Sequence, residues 1–91
     1  MGKTVKTIAD YMEYLSGKGF TFGEEAIGFI QFGQHYTNTD DEIVIIAIEL
    51  TLKIQKEFDG SFFISLLEMF KKEEINSREQ AVSHIHMLNL M

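Results

Sequence analysis

Thr39-Asp40-Asp41-Glu42-Ile43-Val44-Ile45-Ile46-Ala47-Ile48-Glu49-Leu50-Thr51-Leu52-Lys53-Ile54-Gln55-Lys56-Glu57-Phe58-Asp59-Gly60 is the stretch on which the fold class turns, because it fits two periods. Ile46, Ile48, Leu50, Leu52 and Ile54 alternate with Ala47, Glu49, Thr51, Lys53 and Gln55, the pattern of a half-buried strand, and Asp59-Gly60 then reads as a hairpin turn. At helical spacing, Ile43, Ala47, Leu50, Ile54 and Phe58 form one apolar stripe, while Val44, Ile48 and Leu52 form a second. A helix apolar on two sides is what the centre of a bundle requires. Thr39 followed three residues later by Glu42 is a capping box, in which the hydroxyl and the carboxylate satisfy amides that a helix start leaves free. About 19 residues is also long for a strand. Cap and length together favour a helix from Asp40 to Phe58.

The same cap signature recurs at Thr21 with Glu24 and at Ser77 with Gln80, each ahead of an apolar-periodic run. Around the central helix the spacing therefore predicts four more. The first spans about Thr4 to Ser16, with Val5, Ile8, Ala9, Met12 and Leu15 on one side and Gly17 and Gly19 at its end. The second spans Phe22 to about Tyr36, with Phe22, Ala26, Phe29, Ile30 and Gly33 on one stripe and Ile27 and Phe32 beside it. The fourth, near Ser61 to Glu73, carries Phe62, Phe63, Leu66, Leu67, Met69 and Phe70, and the fifth, Ser77 to about Asn89, turns Ala81, Val82, Ile85 and Leu88 inward. Gly28 and Gly33 lower the second helix's own propensity, so packing has to hold it. A helical Gly often marks the close crossing of another helix.

Composition agrees with this reading. The chain has 91 residues, of which 45% are apolar and 24% charged, enough for one packed core and too few for two. With no Pro and 7 Gly, a short bundle suits the chain better than a turn-rich sandwich or barrel. The expected fold is all-α, a single compact bundle of about five short helices spanning residues 1–91. The lack of Cys removes disulfide scaffolds, thiolate metal sites and cysteine nucleophiles. No signal-peptide pattern opens the chain, and no apolar run reaches the roughly 18 residues of a membrane span, so a soluble cytoplasmic protein is expected.

Candidate chemistry is sparse. His84 and His86 are two residues apart and diverge on a helix, and neither they nor His35 have a carboxylate at the right offset to complete a metal set. Glu24-Glu25 and Asp40-Asp41-Glu42 sit at predicted helix starts, where the helix dipole favours negative charge. Residues 40–51 do not form a calcium loop, since Ile45 and Thr51 occupy the positions of its central Gly and last carboxylate. Gly2-Lys3-Thr4 lacks the strand and first glycine of a phosphate loop. No catalysis, cofactor or metal is expected. What remains is apolar and aromatic surface around Phe62, Phe63, Phe70, Met69, Met87 and Met91, readable as core or as a face for a protein partner or a second copy.

From about Phe20 to His84 the chain resembles the DnaD-like domain, a helical module of replication-initiation and primosome proteins in Gram-positive bacteria and their phages. The likeness is strongest from Phe62 to Ala81. There the family has Tyr-x-x-x-Ile-x-x-x-Trp, basic residues, Gly-Ile, a polar cap and Glu-x-Ala, and this chain has Phe62, Leu66 and Phe70, then Lys71-Lys72, Glu74-Ile75, Ser77 and Glu79-Gln80-Ala81. The stretch Glu42 to Ile48 resembles the family's helix that runs from an acidic start into the core. The resemblance implies contact with replication proteins and with DNA, without catalysis, through Phe62, Leu66, Phe70, Lys71, Lys72 and Arg78. The sequence departs from the family where Phe replaces both Tyr and Trp and where Glu74 replaces Gly. Its net charge of -6 opposes phosphate binding, and residues 68–79 interleave four carboxylates with their three cations.

Overall fold

A computed structural model describes residues 7–19 and 22–89 of the chain. Five helices account for its regular structure: α1 (Ile8–Gly17), α2 (Glu24–Thr37), α3 (Asp41–Gln55), α4 (Gly60–Lys72) and α5 (Arg78–Met87). Among the described residues there is no strand, so the chain is a small all-α bundle. None of these helices is long and apolar enough to cross a membrane.

The ambiguous stretch is helical, and burial explains why. Val44, Ile46, Ala47, Ile48 and Leu50 are almost wholly removed from solvent, with Ile43, Ile45 and Thr51 also buried. β-branched residues are poor helix formers on their own. Here α1, α2, α4 and α5 all pack on α3, so burial on every side replaces propensity. The Thr51 hydroxyl donates to the Ala47 carbonyl at 2.7 Å, which lets a polar side chain sit in the core without an orphaned donor. Asp59-Gly60 is the start of α4 and not a hairpin turn: the Asp59 carboxylate accepts from the Phe62 amide at 3.0 Å.

The caps differ from the expectation in detail. The Ser77 hydroxyl accepts from the Gln80 backbone amide at 3.2 Å, while the Gln80 side-chain oxygen Oε1 accepts from the Asn76 amide at 2.7 Å, one residue before the cap. The box at Thr39 does not form. Its hydroxyl pairs with that of Thr37, and the cap position falls to Asp40, whose side chain makes no capping bond. The α2 cap is Gly23, and Thr21 lies outside the described residues. The first helix begins at Ile8 on a Thr7 cap rather than at Thr4, which also lies outside the described residues.

α2 and α4 run parallel, because rising residue numbers on one meet rising numbers on the other. Phe29 overlies Gly60, Gly33 meets Phe63, Ile64 and Leu67, and Lys71 reaches the Thr37 carbonyl at 2.8 Å. A Cβ at Gly60 would lie 2.5 Å from the Phe29 ring, and one at Gly33 would lie 2.9 Å from Leu67, so both glycines set the approach of the two helices. α3 returns between them. α1 is tied to the start of α3, where Asp41 accepts the Ile8 amide at 3.2 Å and the Gln34 side-chain amide at 2.6 Å.

Candidate protein-interaction face

The six residues singled out on the fourth helix and beyond are divided by the fold. Leu66 and Phe70 are 3% and 1% exposed and belong to the core with Phe63 and Leu67. Phe62 is half-buried against the same core. The spacing of four residues thus marks a packing stripe, and Leu66 and Phe70 present no face to a partner or to DNA bases. Arg78, at the first position of α5, is drawn away from the lysines by a carboxylate on α3, forming two hydrogen bonds to Glu49, the second at 3.0 Å. Lys71 and Lys72 alone remain together on the surface, at the C-terminal end of α4, where the helix dipole favours positive charge.

Those two lysines meet an aromatic feature of which periodicity put only Phe29 on the inward stripe, with Phe32 beside it. On α2 only Ile30, Gly33 and Thr37 are buried. Phe32 and Tyr36 are 57% and 64% exposed, and their rings stack at 5.5 Å with planes 10° apart. Phe29 continues the stripe one turn earlier, lying over Gly60 with its outer surface open. Tyr36 then shares a shallow groove with Thr37, Glu68, Lys71 and Lys72. The face therefore runs from Glu24 and Glu25 at the start of α2, through three aromatic rings, to two lysines and Glu68 at the far end. Contiguous exposed aromatics are uncommon on a small monomer and mark contact surfaces, since rings offer large area at small entropic cost.

The fold explains this exposure. The α2 positions that meet α4 are Phe29, whose ring overlies Gly60, Gly33, which meets Phe63, Ile64 and Leu67, and Thr37, whose carbonyl takes Lys71. Phe32 and Tyr36 fall to the flank of that row and stay exposed. On the other flank, α2 and α1 border an apolar groove of about 410 Å³ lined by Ile8, Met12, Ile27 and Ile30. The signal for the exposed stripe was present in the sequence as Phe32 and Tyr36 four residues apart, on a side of the helix turned away from Ile30.

Among the described residues no three His, Cys, Asp or Glu side chains are grouped to hold a metal ion. Tyr11, buried on α1, has its hydroxyl pKa pushed up to about 12, chiefly by burial and further by the nearby Glu49 carboxylate. It packs against Tyr14, whose ring carries the Lys18 ammonium at 5.5 Å.

No curated protein and no solved structure is significantly similar to the chain. A family model does match it from residue 3 to residue 91, nearly end to end, and the chain belongs to that family, DUF6123, a family of unknown function.

Proposed function

We propose that this chain is a non-catalytic, cytoplasmic interaction module whose contact surface is the α2–α4 face. The observation that carries the reading is the stacked, exposed pair Phe32 and Tyr36 beside Lys71 and Lys72, mounted on helices whose opposite sides are locked into the core. A rigid aromatic patch with a charged end suits a protein partner, because rings supply desolvated area and the charges set orientation. Replication proteins are the partner class that the DnaD resemblance implies, and protein contact is the part of that role this face serves best. DNA is the poorer occupant. Arg78 is engaged by Glu49, Glu68 shares the groove with the lysines, and two ammonium groups release few counterions.

Two measurements separate the occupants. A photo-crosslinking residue placed at position 32 in cells should give a defined protein adduct, while the same residue at exposed Gln80 on α5 should not. Titration with single-stranded DNA at low and moderate salt should give affinity no better than the non-specific range of about 10⁻⁴ to 10⁻⁶ M. Binding tighter than about 1 μM at physiological salt, abolished by changing Lys71 and Lys72 to Glu, would overturn the protein-interaction reading in favour of a nucleic-acid one.

A further inference from the structure

The charges along the α2–α4 face are arranged so that the face complements itself. Glu24 and Glu25 stand exposed at the start of α2, and Lys71 and Lys72 stand exposed beside its end. Between them lie Phe29, Phe32 and Tyr36. At 100° per residue, Glu25, Phe29, Phe32 and Tyr36 fall within one narrow strip of the helix surface, with Gly28 at its edge. Taking a second α2 antiparallel to the first, about a two-fold axis level with the middle of the strip, Phe29 lies opposite the second copy's Phe32. Glu25 then lies opposite the second copy's Tyr36, next to its Lys71 and Lys72. Both contacts occur twice by symmetry. A parallel arrangement would instead set carboxylate against carboxylate and ammonium against ammonium.

We infer that the occupant of this face is a second copy of the chain, docked α2 against α2 in antiparallel register. This rests on the reading of the face as the contact surface and names its partner. Gly28 fits the same geometry, since a Cβ built there meets nothing within 4 Å. Open space there leaves room beside Phe32 for a second copy's ring. Glu68 lies in the lysine groove and reduces its charge, but two ammonium groups against one carboxylate keep that end positive toward an incoming Glu25. Self-pairing also covers the aromatic strip that the described residues leave open.

Sedimentation equilibrium over a range of concentrations tests this. The wild-type chain should move from the monomer mass of 10.5 kDa to twice that value as concentration rises. Phe32→Ala, at a solvent-facing position, should keep the helical circular dichroism spectrum and weaken association by about tenfold or more. Glu25→Lys and Lys72→Glu should each weaken self-association, because each places like charges at both symmetric contacts. An equimolar mixture of these two variants should associate again, since at both contacts of the mixed pair the residue at position 25 faces a groove of opposite net charge, Glu68 counted with positions 71 and 72. A wild-type chain that remains monomeric to about 1 mM would overturn the self-pairing. The interaction reading would survive that result if the crosslink at position 32 still captured a different protein. A dimer unaffected by Phe32→Ala, or variants whose mixture fails to associate, would equally place the interface elsewhere.

Discussion

α2 and α3 are neighbours of nearly equal length, 14 and 15 residues, and both are rich in large apolar side chains. Their fates differ. Every position of α3 from Ile43 to Ile48 is buried, whereas α2 buries Ile30, Gly33 and Thr37 and leaves Phe29, Phe32 and Tyr36 in solvent. The cause is the number of covering elements. α3 is contacted by all four other helices, while α2 rests mainly on α4 and the edge of α3. Apolar content records how hydrophobic a helix is, and topology decides how many of its sides are covered. Where content exceeds cover, as on α2, the surplus is available for a partner.

Substitutions at covered positions should show the largest effects. Ile46→Ala on α3 and Leu66→Ala on α4 should each lower the unfolding free energy by about 2 to 5 kcal/mol in urea denaturation, because both sites are enclosed and cannot collapse around a cavity. The two glycines of α2 offer a contrast within one helix. Gly33→Ala drives a methyl against buried Leu67 and Phe63 and should be less stable than Gly28→Ala by about 1 to 3 kcal/mol. Gly28→Ala, facing open space, should stabilise the chain by up to about 1 kcal/mol through helix propensity.

A smaller gain is expected at Glu74, which adopts a left-handed backbone with φ of 55° where α4 ends. Glu74→Gly relieves that strain and should raise stability by about 1 kcal/mol in the same assay. An effect confined to alkaline pH concerns Tyr11. Its hydroxyl pKa is raised on folding from 10.0 to about 12, so the folded state retains a proton that the unfolded chain gives up. The stability this contributes is fully present below about pH 10 and is lost as pH rises toward about 12. Tyr11→Phe should flatten that part of the stability profile measured by thermal melts across the alkaline range.

The helical class, the central position of α3 and the packing role of Leu66 and Phe70 could all be read from spacing, because burial on two or more sides writes a dense apolar pattern. Caps were less readable. Thr39 had the right residue three positions before Glu42, but Thr37 competes for its hydroxyl, and the start of α4 was hidden in an Asp-Gly pair that serves turns and caps alike. Glu74 carried a usable signal, since the resemblance puts Gly at that position and the backbone there is left-handed. Of the exposed aromatic strip, periodicity put Phe29 on the inward stripe, Phe32 beside it and Tyr36 on neither, because it places residues on a face without saying which face has a neighbour. Arg78 could not be separated from the lysines by sequence either, as its partner Glu49 lies 29 residues away.

The division between a covered core and an open α2 face is tested most directly by urea denaturation of Phe32→Ala, at a concentration where the chain is monomeric. An unfolding free energy within about 0.5 kcal/mol of wild type is the result expected of a ring that packs on nothing the monomer needs. A loss of about 3 kcal/mol or more would place Phe32 in the core and leave α2 without a contact face.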